Sequence, residues 1–258
     1  MSIDASVNVA DRVATSDDTL LGGRVKLRQP LEGYRVAIDP VILAAAVPAG
    51  AQDRVLDIGC GTGAASLCLA ARVPGCHVVG LERDPDVARL AAENIARNDF
   101  VARLSVVEGD LLAPPAPLAP GSFTQVMANP PFLEAARASA SPVTARAAAA
   151  VESEATLADW IDFALVMLRD KGTLTMIHRA DRLGDLLAAL NGRAGGIIVF
   201  PLWPGEGKPA KRILLQAKKG SAAPLTFAQG LVLHRADGRN SEAAEAILRH
   251  GAALPLVS

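Results

Sequence analysis

Three glycines at alternate positions form the first segment of this chain whose residue types and spacing point to chemistry. They are Gly59, Gly61 and Gly63, and their segment D-I-G-C-G-T-G begins at Asp57, within a short apolar run. Glycines let the backbone come close to a ligand and leave the N–H groups at the start of a helix available to it. The G-x-G-x-G spacing differs from the G-x-G-x-x-G of dinucleotide-binding folds. It predicts a nucleotide-binding loop, with a plain strand-to-helix turn and an NAD-dependent enzyme as the alternatives.

Two acidic residues further along the chain occupy equivalent places. Glu82 ends the next predicted strand, and Asp110 ends the strand after it. Open α/β sheets bind ligands at the carboxyl ends of their strands, so we expect these acids and the glycine loop to line one crevice of adenosine size. There the Glu82 carboxylate can accept hydrogen bonds from both hydroxyls of a ribose, and Asp110 can accept one from an adenine amino group.

The segment N-P-P-F, Asn129 to Phe132, follows the fourth predicted strand. Two prolines fix an extended turn, so the Asn129 side chain and the Pro130 carbonyl can point together into the crevice. Two acceptors then face the two hydrogens of one planar amine and favour a tetrahedral nitrogen, which is positioning rather than base catalysis. Phe132 offers a flat apolar surface on which a base can stack. The alternative is an ordinary Asn-Pro turn.

Both motifs resemble those of class I S-adenosylmethionine-dependent methyltransferases, over about residues 50–220. The N-P-P-F segment is similar to the catalytic motif of those acting on adenine N6, cytosine N4, guanine N2 or a glutamine amide. The resemblance implies S-adenosylmethionine as the cofactor. The cofactor-binding residues that it implies are Asp39, Asp57, Gly59, Gly61, Gly63, Glu82, Asp110 and Asn129. The catalytic residues that it implies are Asn129, Pro130, Pro131 and Phe132.

The flanking segments narrow the resemblance. Residues 20–49, 155–183 and 231–252, taken with N-P-P-F, resemble the bacterial tRNA(Val) adenine-N6 methyltransferase family. In that family an acid at the position of Asp39 lies near the methionine end of the cofactor, and a helix N-cap is an equally good interpretation of Asp39. The resemblance implies methylation of adenine N6 in RNA, with tRNA as the partner. A protein glutamine, guanine N2, a small-molecule amine and a non-catalytic cofactor-binding module stay open as alternatives.

The formal net charge of −1 argues against a nucleic-acid-binding protein, but two basic clusters stand out. The first consists of Arg24, Lys26, Arg28 and Arg35, and the second of Lys208, Lys211, Arg212, Lys218 and Lys219. Each is either the solvated edge of a strand or a surface that binds phosphates. Tyr34 and Arg35 could also stack on a nucleotide and clamp it, unless Tyr34 packs on the core. The predicted substrate-binding residues are Tyr34, Arg35, Lys208, Lys211 and Arg212.

Composition excludes several classes of protein. Hydrophobic residues make up 50% of the chain and aromatic residues only 3%, which suits helices packed closely on a buried parallel sheet. Pro48 breaks the longest apolar stretch, 41–51, below the roughly 18 residues that a membrane span needs, and the first residues lack a signal peptide. We therefore expect a cytoplasmic protein without a membrane partner. The three cysteines form no C-x-x-C pair, so no metal is expected.

The elements that must position these residues are predicted by periodicity. From Arg54 onward strands and helices alternate, which is typical of a doubly wound α/β fold. With the resemblance, this predicts a Rossmann-like, seven-stranded, mostly parallel sheet with helices on both faces. We expect a mobile tail at 1–19 and a single domain at 20–258. Its parts are a hairpin, turning near 31–33, and helix at 20–50, a cofactor-binding core at 51–220, and a strand and helix at 221–258.

Overall fold

The computed structural model describes residues 14–31, 36–131 and 155–257, and the backbone of 133–134 and 151–152. Within these residues the strands are β1 (Thr15–Leu20), β2 (Val25–Pro30), β3 (Arg54–Ile58), β4 (His77–Glu82), β5 (Leu104–Glu108), β6 (Phe123–Ala128), β7 (Leu133–Glu134), β8 (Val151–Glu152), β9 (Leu168–Arg179), β10 (Ala194–Gly205), β11 (Arg212–Lys219), β12 (Thr226–Phe227) and β13 (Leu231–His234). The α-helices are α1 (Asp39–Ala46), α2 (Ala64–Arg72), α3 (Pro85–Arg97), α4 (Leu157–Met167), α5 (Leu183–Leu190) and α6 (Glu242–His250).

A nine-stranded sheet forms the centre of the described structure, in the order β12-β10-β11-β9-β6-β3-β4-β5, with β13 also paired to β10. The five strands from β9 to β5 are parallel, and β11 is antiparallel to both of its neighbours. The predicted Rossmann-like α/β fold is confirmed. The sheet has two strands more than the predicted seven because β12 and β13 add to the outer side of β10, parallel to it.

Helices cover both faces of this sheet because the side chains of its strands alternate between two cores. Val55 of β3 belongs to one hydrophobic cluster, whereas Leu56 and Ile58 belong to the other. Successive side chains of a strand point to opposite faces, and only a sheet that is covered on both sides buries all of them. The first cluster includes residues of β2, α1, α2, α3 and α6, and the second includes residues of α4 and α5.

Polar caps fix where several helices begin. The Asp84 side chain accepts hydrogen bonds from the backbone N–H groups of Asp86 and Val87 at the start of α3. Thr156 and Asp159 form a reciprocal capping box at the start of α4. Each cap satisfies N–H groups that lack a partner within the helix.

The interpretation of Asp39 as a helix N-cap is wrong. The N-cap of α1 is Ile38, and no side chain caps this helix. Asp39 lies in the first turn instead, where its Oδ2 is 3.2 Å from Nε of Arg212. At this position the carboxylate pairs with a guanidinium in a charge-assisted bond and does not cap the helix.

The N-terminal hairpin lies earlier in the chain than predicted, and residues 15–19 are not a tail. β1 pairs antiparallel with β2, and Gly22 and Gly23 make the turn with φ of 64° and 95°. The acidic residues that suggested a solvated tail are held by the hairpin, because Asp17 pairs with Arg28 at 3.0 Å. Residues 1–13 and the predicted turn at 32–33 lie outside the described residues. No helix in the described ranges has the length and apolarity to cross a membrane.

Candidate active site at the carboxyl end of the sheet

The parallel strands β3, β4, β5, β6 and β9 all end on one side of the sheet, which we call the carboxyl end of the sheet. The glycine loop begins there, directly after β3. Gly59, Gly61 and Gly63 have φ of 65°, 56° and 86°, in the left-handed region that favours glycine. Gly63 is also the N-cap of α2. Residues other than glycine would be strained in this backbone conformation. The loop ends at the start of α2, where backbone N–H groups have no partner within the helix.

Two of these glycines face different surroundings. A Cβ added at Gly59 would lie 2.5 Å from Cη2 of Trp160 in α4, whereas a Cβ at Gly61 would meet nothing within 4 Å. Gly59 therefore allows the indole to pack under the loop. Gly61 faces open space in front of the strand ends, where a ligand can approach the backbone. The sequence alone did not indicate this role of Trp160.

Asp57 lies beneath the glycine loop. Its residue is 2% exposed, and its Oδ2 accepts a 2.7 Å hydrogen bond from Oγ of Ser66 in α2. Burial raises the pKa of the Asp57 carboxyl to about 7, and the negative charge of Glu82 acts in the same direction. This hydrogen bond joins the end of β3 to the first turn of α2. Sequence reasoning did not identify Ser66.

Glu82 is oriented by three backbone N–H groups. Its Oε2 accepts from Gly61 at 2.9 Å, and its Oε1 accepts from Arg83 at 2.9 Å and from Asp84 at 3.0 Å. The carboxylate thus ties the end of β4 to the glycine loop. A carboxylate has about four lone-pair positions, so Oε2, which accepts one hydrogen bond, can accept a second.

Asp110 lies two residues beyond the end of β5. Its Oδ1 accepts a 2.9 Å hydrogen bond from the backbone N–H of Leu112, and its Oδ2 is 3.9 Å from Nη1 of Arg83. The residue is partly exposed. The structure therefore brings the glycine loop, Glu82 and Asp110 to three adjacent strand ends, as the sequence predicts for their elements.

Asn129, Pro130 and Pro131 follow β6 directly. Ala128, the last residue of β6, pairs with Ile58 of β3 and with Met176 of β9, so this turn begins between the glycine loop and the end of β9. Oδ1 of Asn129 is buried and accepts no hydrogen bond from any residue that the structure describes. A buried acceptor of this kind costs free energy unless a donor reaches it. Phe132 lies outside the described residues.

A second group of charges lies at the end of β9. Arg212 begins β11 opposite Arg179, and it carries the ion pair to Asp39. His178, the neighbour of Arg179, is completely buried, and burial followed by the positive charge of Arg182 lowers its pKa to about 4. The imidazole is therefore neutral at pH 7, as expected of a histidine in the core.

Two members of the first basic cluster, Arg24 and Lys26, lie away from the carboxyl end of the sheet. The backbone of Arg28 is bonded to the Asn94 side chain, which also donates to the carbonyl of Thr62 in the glycine loop. Arg28 is 3.0 Å from Asp17 and 4.0 Å from Glu93, so carboxylates compensate its charge. The backbone of Lys26 is bonded to Asn98, at the far end of α3 from the carboxyl end of the sheet. Arg24 contacts Gly251, beyond the end of α6. The last member of the first basic cluster, Arg35, lies outside the described residues, and so does Tyr34.

The second basic cluster is divided by β11. Lys211 and Arg212 lie at the carboxyl end of the sheet, and so does the loop that carries Lys208. Lys218 and Lys219 lie at the opposite end, where Nζ of Lys219 donates to the carbonyl of Leu168. Two of the five cations therefore cannot act with the other three on one ligand at the site.

No group of three metal-binding side chains is found in the described part of the chain, and its cysteines, Cys60, Cys68 and Cys76, are buried free thiols. The residues at the carboxyl end of the sheet instead present backbone N–H groups, carboxylates and an amide acceptor. Such a set suits an organic ligand with hydroxyl and amino groups.

The family model for the methyltransferase small domain matches residues 36–182. The chain belongs to this family. A tRNA1(Val) (adenine(37)-N6)-methyltransferase from Porphyromonas gingivalis is 33% identical to this methyltransferase over 213 residues, 79% of the chain and 83% of the relative. The tRNA1(Val) (adenine(37)-N6)-methyltransferase from Aeromonas hydrophila is 28% identical over 211 residues, which cover 81% of this chain and 86% of the relative. A solved structure, a predicted O-methyltransferase from Agrobacterium tumefaciens, has a TM-score of 0.71 at 28% identity and covers 84% of this chain and 98% of its own.

The cofactor of this methyltransferase is S-adenosylmethionine. The residues present fit it, because Gly61 faces open space and Oε2 of Glu82, which accepts one hydrogen bond from Gly61, can accept a second. The family match confirms the predicted enzyme class, an S-adenosylmethionine-dependent methyltransferase. The individual contacts of the predicted site residues stay predictions.

Proposed function

We propose that this methyltransferase transfers a methyl group from S-adenosylmethionine to N6 of an adenine in RNA, and that the RNA is a tRNA. The observation that carries the proposal is the buried, unpartnered Oδ1 of Asn129 at the end of β6, beside the glycine loop. The names of the two bacterial relatives, both of which modify adenine N6 in a tRNA, support the choice of substrate.

The cofactor is held, in this proposal, across the ends of β3, β4 and β5. Backbone N–H groups of the glycine loop face it, Oε2 of Glu82 accepts a hydrogen bond from the ribose, and Asp110 accepts one from the adenine amino group. Asp39 lies toward the methionine end, on the other side of the glycine loop. When bound, the cofactor supplies an electrophilic methyl group on a sulfonium.

The target amine is oriented by Asn129 and Pro130. The exocyclic nitrogen of adenine is a weak nucleophile because its lone pair is delocalised into the ring. The Asn129 Oδ1 and the Pro130 carbonyl accept its two hydrogens, which favours a tetrahedral nitrogen with a localised lone pair. Held in this way by Asn129 and Pro130, the nitrogen would accept the methyl group that the cofactor supplies, and one amine proton would pass to water.

The substrate base must be unpaired. A base inside a duplex cannot present its exocyclic nitrogen to a crevice at the end of a sheet, so it is either flipped out or taken from a loop. A tRNA offers such bases in its loops. Phe132 is placed by its sequence position to stack on the base, and this role stays a prediction.

The test is methyl transfer from labelled S-adenosylmethionine to unmodified tRNA transcripts, with a protein extract and small amines as competing substrates. We expect label in RNA, and N6-methyladenosine as the modified nucleoside after digestion. The Asn129→Ala variant is the control, because it should still bind the cofactor and transfer the methyl group about 10²- to 10³-fold more slowly. Label found in protein or in small amines, with none in RNA, would refute the proposal.

A further inference from the structure

The carboxyl end of the sheet carries opposite charges on its two sides. On the side of β4 and β5, acidic residues predominate at the strand ends: Glu82, Asp84, Asp86, Glu108 and Asp110. On the other side, the segments at the ends of β11, β10 and β13 carry Lys211, Lys208 and Arg235. Asn129 lies between the two sides, at the end of β6.

Topology places these three cations at the same end of the sheet as Asn129. β11 is antiparallel to β9 and therefore begins where β9 ends, with Arg212 opposite Arg179. β10 is antiparallel to β11, and β13 is parallel to β10, with Gly205 opposite His234. The loops that follow β10 and β13 therefore lie in line with the catalytic turn.

The strand ends next to these cations are regularly spaced. The strands from β6 outward follow in the order β9, β11, β10 and β13. Neighbouring strands are about 4.8 Å apart, so the end of β13 lies about 19 Å from that of β6. Lys211, Lys208 and Arg235 thus form a row that leads away from Asn129, long enough to follow several phosphates of one strand.

The three cations of the row are exposed and form no ion pair within the described residues. Their basic neighbours are compensated by carboxylates: Arg179 pairs with Asp181, and Arg212 pairs with Asp39. An exposed cation without a carboxylate partner retains its full charge for an external anion.

Arg235 stands on a turn with a fixed shape. Its backbone N–H donates to the carbonyl of Arg239 at 2.8 Å, and its carbonyl accepts from Gly238 at 3.0 Å. Beside the turn lies a cleft of about 670 Å³, which Arg235 lines together with Arg239 and Arg249. The latter two pair with Asp237 and Glu245, and Glu242 also lines the cleft. Hydrogen bonds from the backbone and side chain of Arg239 lower the pKa of Asp237, and the charge of Arg235 helps to lower it, but Arg235 forms no ion pair within the described residues.

We infer that the backbone of the RNA substrate leaves the catalytic turn along Lys211, Lys208 and Arg235, and that Arg235 makes the outermost phosphate contact. The inference rests on the proposed function, because it requires an RNA substrate. The acidic side of the sheet end repels phosphates and is left to the cofactor. Arg212 belongs to the site through Asp39 rather than to the phosphate row.

The experiment compares two triple variants with equal loss of charge. The first is Lys208→Gln, Lys211→Gln and Arg235→Gln. The matched control is Lys26→Gln, Arg169→Gln and Lys218→Gln, whose exposed side chains lie away from the carboxyl end of the sheet. Affinity for a tRNA transcript is measured over a range of salt concentrations, together with kcat and KM for methyl transfer and the affinity for S-adenosylmethionine.

Each phosphate contact on a single strand contributes about 0.7 to the slope of log affinity against log salt, so the first variant should lose about 2 from the slope. Its KM for RNA should rise while kcat and cofactor affinity keep the wild-type values, and the control should resemble the wild type throughout. Equal slopes for the two triple variants, with RNA still methylated, would overturn the phosphate row alone. A wild-type protein that methylates no RNA would overturn the proposed function and this inference with it.

Discussion

The substitution Glu82→Gln tests how the carboxylate both anchors the glycine loop and holds the ribose. In the structure three backbone N–H groups donate to it, one at Oε2 and two at Oε1. A glutamine has one acceptor oxygen and one NH2 group, so the better of its two orientations keeps the bonds from Arg83 and Asp84. Its NH2 group then faces the N–H of Gly61 and the place of the ribose hydroxyl.

Two magnitudes follow from this arrangement. Leaving the Gly61 N–H without an acceptor costs about 1–3 kcal/mol of folding free energy. Losing a hydrogen bond to a charged acceptor costs about 1.5–3 kcal/mol of cofactor binding, which is roughly a tenfold to hundredfold rise in Kd. The variant should therefore be less stable and should also bind the cofactor more weakly.

The assay is calorimetric titration with S-adenosylmethionine, with thermal unfolding measured on the same samples. Glu108→Gln is the matched control, because Glu108 lies opposite Glu82 in the neighbouring strand and its residue is exposed. It removes the same charge from the same end of the sheet without removing an anchor. If Glu82→Gln binds the cofactor as tightly as Glu108→Gln, Glu82 does not hold the ribose. If both unfold at the same temperature, the anchoring role is wrong.

Three further predictions concern Asn129, the glycine loop and Asp57. Asn129→Ala should lower single-turnover methyl transfer by about 10²- to 10³-fold, by analogy with the loss of one preorganised group, and should weaken cofactor binding far less; near-normal transfer would exclude the acceptor role. Gly59→Ala and Gly61→Ala should each lose about 1–2 kcal/mol of stability because alanine is strained at a left-handed φ. Gly59→Ala should lose about 1–3 kcal/mol more because its Cβ clashes with Trp160. Denaturant unfolding of both variants measures the difference. Burial raises the pKa of Asp57 from 3.8 to about 7, so the folded state binds more protons than the unfolded state between these values, and stability should fall as pH rises through that window. Asp57→Asn should lack this decline, and parallel slopes of unfolding free energy against pH for the two proteins would contradict the raised pKa.

The local features of the fold and the site could be predicted from the sequence because each is encoded within a few residues. The glycine spacing, the acids at strand ends and the caps at Asp84 and Thr156 all depend on neighbours along the chain. Their elements follow from periodicity and turn chemistry. The carboxyl ends of parallel strands then bring the predicted residues to one end of the sheet without further information.

The contacts that could not be predicted join segments far apart in the chain. Trp160 packs under Gly59, and Arg212 reaches Asp39 across 173 positions. The pairing of Asp17 with Arg28 turns an apparently solvated segment into a strand of a hairpin. Residue types fix neither the partner of a charge nor the register of a hairpin when several partners are available.

The position of β11 imposes an order on the assembly of the sheet during synthesis. β11 is made after β10, yet it lies between β9 and β10. When synthesis has reached the end of β10, the parallel strands from β5 to β9 can already pair with one another. β10 has no strand to pair with at that stage, because β11 lies between β9 and β10. Once Arg212–Lys219 has left the ribosome, β11 pairs with β9 and gives β10 its place, with β12 and β13 following on β10. Before β11 has been synthesised, the unpaired edge of β9 is exposed to other chains. Asp39 also lacks its ion pair until Arg212 has been synthesised.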